Sequence, residues 1–202
     1  MKKFNYNSIL FMIVISVVFT GSLALINEAT KDAVALNDEL REHKSLLYVA
    51  DIPFNNKTAV EVSNIFQNNV KKVNFNGLVY YEGYQEDVLV SYIFPIEGDA
   101  VWGHLKGFIS LSTDLTEILG VDFLSHSETP GLGGRIDELS YKEQFRGIEI
   151  DPNREDGNYI IYRPNPDGQV DSISGATGTS NAVRRILNEN LQAIIKGMEG
   201  KI

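Results

Sequence analysis

The sequence predicts an α+β domain behind a single N-terminal transmembrane helix, and three observations carry that expectation. Residues Ile9 to Ile26 run without a charge, the middle of the chain gathers β-branched and aromatic residues into short runs, and helical periodicity is confined to the flanks. Strands in a run with helices at the ends indicate an antiparallel sheet flanked by helices. With 202 residues, 43% hydrophobic and 22% charged, the chain has the mixture of a folded domain rather than of a disordered one.

As a helix at about 1.5 Å per residue, Ile9 to Ile26 spans about 27 Å, close to the hydrocarbon thickness of a bilayer. Lys2 and Lys3 precede the run and the next basic residue is Lys31. The positive-inside bias therefore places the N-terminus in the cytoplasm and the bulk of the chain on the other side. The run is long for the apolar region of a signal peptide, which favours a retained anchor over residues 1–26. Cleavage is the alternative, with Ser22 and Ala24 as the small −3 and −1 residues. The span holds no Asp, Glu, Lys, Arg or His to form an ion path.

Asn27 to Leu47 reads as a polar helix with Ala33, Leu36, Leu40 and Leu47 in a thin apolar stripe, a stalk over residues 27–50 that leaves 51–202 for the domain. Thr58-Ala-Val-Glu61 has the form of a capping box opening a helix to about Val70, with Val62, Ile65, Phe66 and Val70 on its inner face. Strands are expected at Leu78 to Tyr81, Val88 to Phe94, His104 to Leu111, Ile118 to Phe123 and Tyr159 to Tyr162. A final amphipathic helix runs from Thr179 to Lys196 on Val183, Ile186, Leu187, Leu191 and Ile194.

Composition excludes several classes of chemistry. A net charge of −9 and no Lys/Arg run longer than two argue against a nucleic-acid partner. With no cysteine, disulfides, thiolate nucleophiles and thiolate-held iron–sulfur clusters are ruled out within this chain. His43, His104 and His126 lack the spacings of a zinc site, so no metal and no catalytic side chain is assigned.

The informative segment is Asp171-Ser-Ile-Ser174-Gly175-Ala176-Thr177, set between a strand and the last helix. Small residues let the backbone come close to a ligand, and the N–H groups and dipole at a helix N-terminus favour a phosphate there. On the residues alone, a plain helix cap is the simpler reading. A second segment, Glu128-Thr129-Pro130-Gly131-Leu132-Gly133-Gly134, has sound turn chemistry, with Leu132 offering apolar surface to an aromatic ring.

Both segments resemble the two signatures of the FMN-binding domain family. In that family the last Thr of the first motif is joined to the FMN phosphate by a phosphoester bond. The resemblance implies covalent FMN on Thr177, with Ser174, Gly175 and Ala176 around it and Glu128, Thr129, Pro130, Gly131, Leu132 and Gly133 lining the flavin. Thr is a poor nucleophile without a base beside it, which fits the family's use of a separate flavin transferase, with Asp171 as its recognition residue. The whole-chain arrangement, with Ile96 to Trp102 before a Gly-containing strand, resembles the FMN-bearing C subunits of sodium-translocating NADH:quinone reductases. The G subunits of Rnf-type ferredoxin:NAD complexes, or a stand-alone anchored FMN carrier, are the alternatives. The resemblance implies an electron-relay subunit of a redox-driven ion translocase, with the other subunits of a membrane respiratory complex as partners. It also implies a single-pass location in the cytoplasmic membrane, with the domain on the periplasmic or extracellular side.

Overall fold

The computed structural model describes residues 6–154 and 156–201; Lys2 and Lys3 lie outside the described residues. The chain divides between Leu40 and Arg41 into two compact units. A helix, α1, runs over Tyr6–Val49. Its first part is long and apolar enough to cross a membrane, and side chains such as Leu10, Phe11, Val17 and Leu23 are exposed along it. Exposed surface of that kind is unfavourable in water and favourable in lipid.

The second unit is built on a six-stranded antiparallel sheet whose spatial order is its sequence order. The strands are β1 (Val70–Phe75), β2 (Leu78–Gln85), β3 (Val88–Asp99), β4 (His104–Leu111), β5 (Glu117–Ser125) and β6 (Ile148–Glu149). Helix α2 (Ala59–Asn69) precedes the sheet, and the short α3 (Leu139–Lys142) follows β5. Helix α4 (Thr177–Gly197) closes the fold. The expected α+β class holds.

Strand alternation sorts neighbouring residues onto opposite faces. Tyr80, Phe94 and Ile109 join one cluster with Val183, Ile186, Leu187, Leu191 and Ile194 of α4. Their neighbours Tyr81, Ile93 and Phe108 are buried outside that cluster. The end of α1 packs on this second side: a Cβ on Gly120 would lie 2.8 Å from the Val49 carbonyl oxygen, and the Tyr81 hydroxyl donates to Glu42. His43 of α1 stacks on Phe66 of α2 with ring centroids 3.9 Å apart. Arg146 donates to the carbonyls of Leu119 and Tyr48, a cation placed where the α1 dipole is negative.

Helix α2 begins as its capping box directs: the Thr58 hydroxyl accepts from the Glu61 N–H, and the Glu61 carboxylate accepts from the Thr58 N–H at 2.8 Å. Glu61 consequently titrates below the usual carboxylate range. Two expectations need correction. Val70 is not the end of α2 but the first residue of β1, an edge strand hidden in the sequence by its Lys71-Lys72 pair. Tyr159 to Tyr162 forms no strand beyond one bridge between Tyr162 and Val170. Side chains take part of its backbone: the Ile160 N–H donates to Asn188 Oδ1, the Ile160 carbonyl accepts from Asn188 Nδ2, and the Ile161 N–H donates to Gln169 Oε1, while the Ile161 carbonyl accepts from the N–H groups of Gln169 and Val170. With its donors engaged locally and through α4, the segment has no ladder to join.

Candidate functional site

The turn that leads into α4 positions Thr177. The Ala176 N–H donates to the Ile173 carbonyl, and the buried Ser180 hydroxyl accepts from the Ile173 N–H, so residues 173–176 fold back onto the first turn of α4. Gly175 takes φ +78°, a left-handed conformation that suits a residue without Cβ. Helix α4 starts at Thr177, two residues earlier than its apolar periodicity predicts. Its N-cap is Ala176, and no side chain caps it. The structure therefore does not use the Ser and Thr residues of this segment as a cap. Thr177 is exposed, and the N–H groups of Thr177, Gly178 and Thr179 have no intrahelical acceptor.

The second segment turns on Thr129, whose carbonyl accepts from the N–H groups of Leu132 and Gly134. Leu132 is 47% exposed and lies against the first segment, its Cδ2 3.5 Å from where a Cβ on Gly175 would sit. Gly133 leaves no room for a side chain unless its neighbours shift: a Cβ there would collide with the Thr179 hydroxyl and lie 2.7 Å from a Glu128 carboxylate oxygen.

The two segments meet around a recess of about 170 Å³ lined by Val101, Trp102, Thr129, Leu132, Gly133 and residues 175–179. Of the residues expected from the sequence, Thr129, Leu132, Gly133, Gly175, Ala176 and Thr177 line it, whereas Glu128, Pro130, Gly131 and Ser174 do not. Asp171 is exposed and paired with Arg163 at 3.0 Å, its N–H donating to Gln144. Sequence reasoning missed Val101, Trp102, Gly178 and Thr179 as lining residues. Trp102 is the chain's only tryptophan and is 69% exposed, in the turn between β3 and β4. The chain's single Trp followed directly by Gly103 was the available signal.

The buried Glu128 ties these pieces together. One carboxylate oxygen accepts from the N–H groups of Val101 and Trp102, each at 3.0 Å, and the other accepts from the Thr179 hydroxyl. At the base of the same turn, His104 bonds Asp99 at 3.0 Å and Glu97 at 3.4 Å. These two carboxylates, Asp99 first, raise its pKa above the ordinary imidazole value. Among the described residues no group of His, Asp and Glu could hold a metal ion.

An exposed hydroxyl on an uncapped helix N-terminus, beside an apolar rim and three glycines, suits a phosphate-linked aromatic cofactor. A family model described as the FMN-binding domain matches residues 101–192. Over part of its length the chain is similar to the C subunit of the Na(+)-translocating NADH-quinone reductase. It is 33% identical over 102 residues to that subunit from Vibrio anguillarum and 35% identical over 103 residues to the one from Pseudomonas aeruginosa. Each match covers 48% of this chain and 40% of the relative, so the chain aligns with about two fifths of the length of these relatives. The crystal structure of Shewanella oneidensis NqrC superposes with a TM-score of 0.62 at 16% identity, over 76% of this chain and 95% of that one. The crystal structure of the same reductase component from Parabacteroides distasonis superposes with a TM-score of 0.69 at 24% identity, over 84% of this chain and 97% of that one. These two likenesses establish the fold.

Proposed function

We propose that this chain carries one FMN esterified to Thr177 and relays electrons as the C-type subunit of a sodium-translocating NADH:quinone reductase. The observation that carries the reading is an exposed Thr177 hydroxyl on the uncapped first turn of α4, at the rim of a recess that both motif segments line. The free N–H groups of residues 177–179 would hold the phosphate, and Val101, Trp102 and Leu132 would offer apolar surface to the ring system. FMN bound there supplies reversible electron transfer; the protein supplies attachment, orientation and electrostatics.

The small recess supports covalent attachment. Pockets that retain a ligand by enclosure measure about 300–1,000 Å³, and this one is about 170 Å³. A tether holds the cofactor at high local concentration whatever its affinity. Attachment forms a bond between Thr177 Oγ and the flavin phosphorus and, relative to free FMN, releases one water. A flavin transferase performs it, with exposed Asp171 as its recognition residue.

In this reading residues 1–26 anchor the chain, residues 27–50 lead to the flavin-bearing domain of residues 51–202, and that domain lies outside the cytoplasm. Sodium movement belongs to companion subunits. Intact-mass measurement of protein made with a flavin transferase tests the attachment. The expected mass is the sequence mass plus one FMN less one water, and Thr177→Ala removes the increment. Unchanged labelling of that variant overturns the assignment.

A further inference from the structure

We propose that Glu128 is a positioning residue: it clips the Val101–Trp102 turn to the first turn of α4, fixing the distance between the indole and the attachment point. The inference deepens the reading of Thr177 as the flavin acceptor and rests on it. Three segments far apart in sequence converge on this one carboxylate. Val101 and Trp102 lie between β3 and β4, Glu128 follows β5, and Thr179 is the third residue of α4. Glu128 is 5% exposed and Thr179 5% exposed, so solvent does not compete for these bonds. Gly133 has no side chain where one would wedge them apart.

The geometry also separates Glu128 from the cofactor. Its two oxygens are already engaged by three protein donors, and it does not line the recess. What it controls is Trp102, whose side chain is largely exposed and whose backbone N–H is held by this carboxylate. Without the clip, the turn is retained by the pairing of Asp99 with His104 and by the Ala100 N–H bond to the Gly103 carbonyl. The turn would then be intact but free to swing about its base, and Trp102 would leave the flavin.

Glu128→Ala and Glu128→Gln separate this role from a general contribution to stability. Gln keeps an oxygen for the two N–H groups and an amide that donates to Thr179, so it preserves the clip; Ala does not. In flavin-loaded protein, the lone Trp102 reports its own distance from the cofactor by quenching. Glu128→Ala should retain the mass increment at Thr177 while losing most of the quenching, and Glu128→Gln should restore it. Amide hydrogen exchange on the unloaded Thr177→Ala protein supplies a flavin-independent readout. Exchange at Val101 and Trp102 should quicken about tenfold in an added Glu128→Ala background, the scale of a lost charge-assisted hydrogen bond, with the β3 and β4 amides unchanged. Wild-type quenching in loaded Glu128→Ala, or unchanged exchange at both amides, overturns the clip. Wild-type protein that never gains FMN overturns the flavin reading instead, and the exchange result still decides the clip.

Discussion

Leu132 is the residue at which the two motif segments touch. Its N–H closes the turn made by the Thr129 carbonyl, its side chain lies where a Cβ on Gly175 would reach it, and about half its surface is free at the rim of the recess. Leu132 and Thr177 line the same recess, so in the proposed reading this side chain meets the ring of a flavin attached to Thr177. Leu132→Asp should therefore leave attachment intact, because Thr177 and the amides of α4 are untouched, but it places a negative charge beside the ring. Adding an electron then costs on the order of 1 kcal/mol more at a partly hydrated distance of several ångströms. The flavin midpoint potential should fall by tens of millivolts in a redox titration. An unaltered potential would move the ring away from Leu132.

Among the elements, α2 tests how far local chemistry governs the fold. Its capping box satisfies two N–H groups that have no intrahelical acceptor, and the helix buries only Val62 fully. With so little tertiary anchoring, the cap matters. Thr58→Ala should cost about 1 kcal/mol, the usual value of such a cap, read as a lower denaturant midpoint with an unchanged slope. The Glu61 half of the box has a sign in pH. Its folded carboxyl titrates below the unfolded value, so its contribution is complete above the unfolded pKa and lost as pH falls through the folded one. The difference between wild type and Thr58→Ala should accordingly shrink in acid. Helix α4 works differently: its start is left uncapped, and the amides this exposes are those the proposed phosphate would occupy.

For the whole molecule, the question is which side of a membrane the second unit occupies. The uncharged run in α1 is long enough to cross a bilayer, two lysines precede it and the next basic residue is Lys31. Together with the proposed tethered cofactor, of the kind needed where no flavin pool exists, these features predict a retained anchor with residues from about Asn27 onward outside the cytoplasm. N-terminal sequencing of the mature protein should find the lysines present, and external protease should digest the domain in spheroplasts. A mature chain starting near Leu25 overturns the anchor, and a protected domain overturns the sidedness.

The sequence by itself determined the local elements and the chemistry that sits within them. The apolar run, the capping box, the strand β4 to the residue and the last helix all follow from period, branching and turn chemistry acting within a few residues, and the two motif segments stand in contiguous sequence. Only the tertiary structure decided what crosses long separations. β1 exists because β2 offers it a partner, whereas Tyr159 to Tyr162 stays irregular because the Asn188 and Gln169 side chains take the N–H groups of Ile160 and Ile161. Trp102 comes to the edge of the recess, and Glu128 bonds both its turn and Thr179, because the sheet register and the seat of α4 bring residues 101, 128 and 179 together. Local patterns specify conformation, but proximity between distant residues is set by packing, which no short window of sequence encodes.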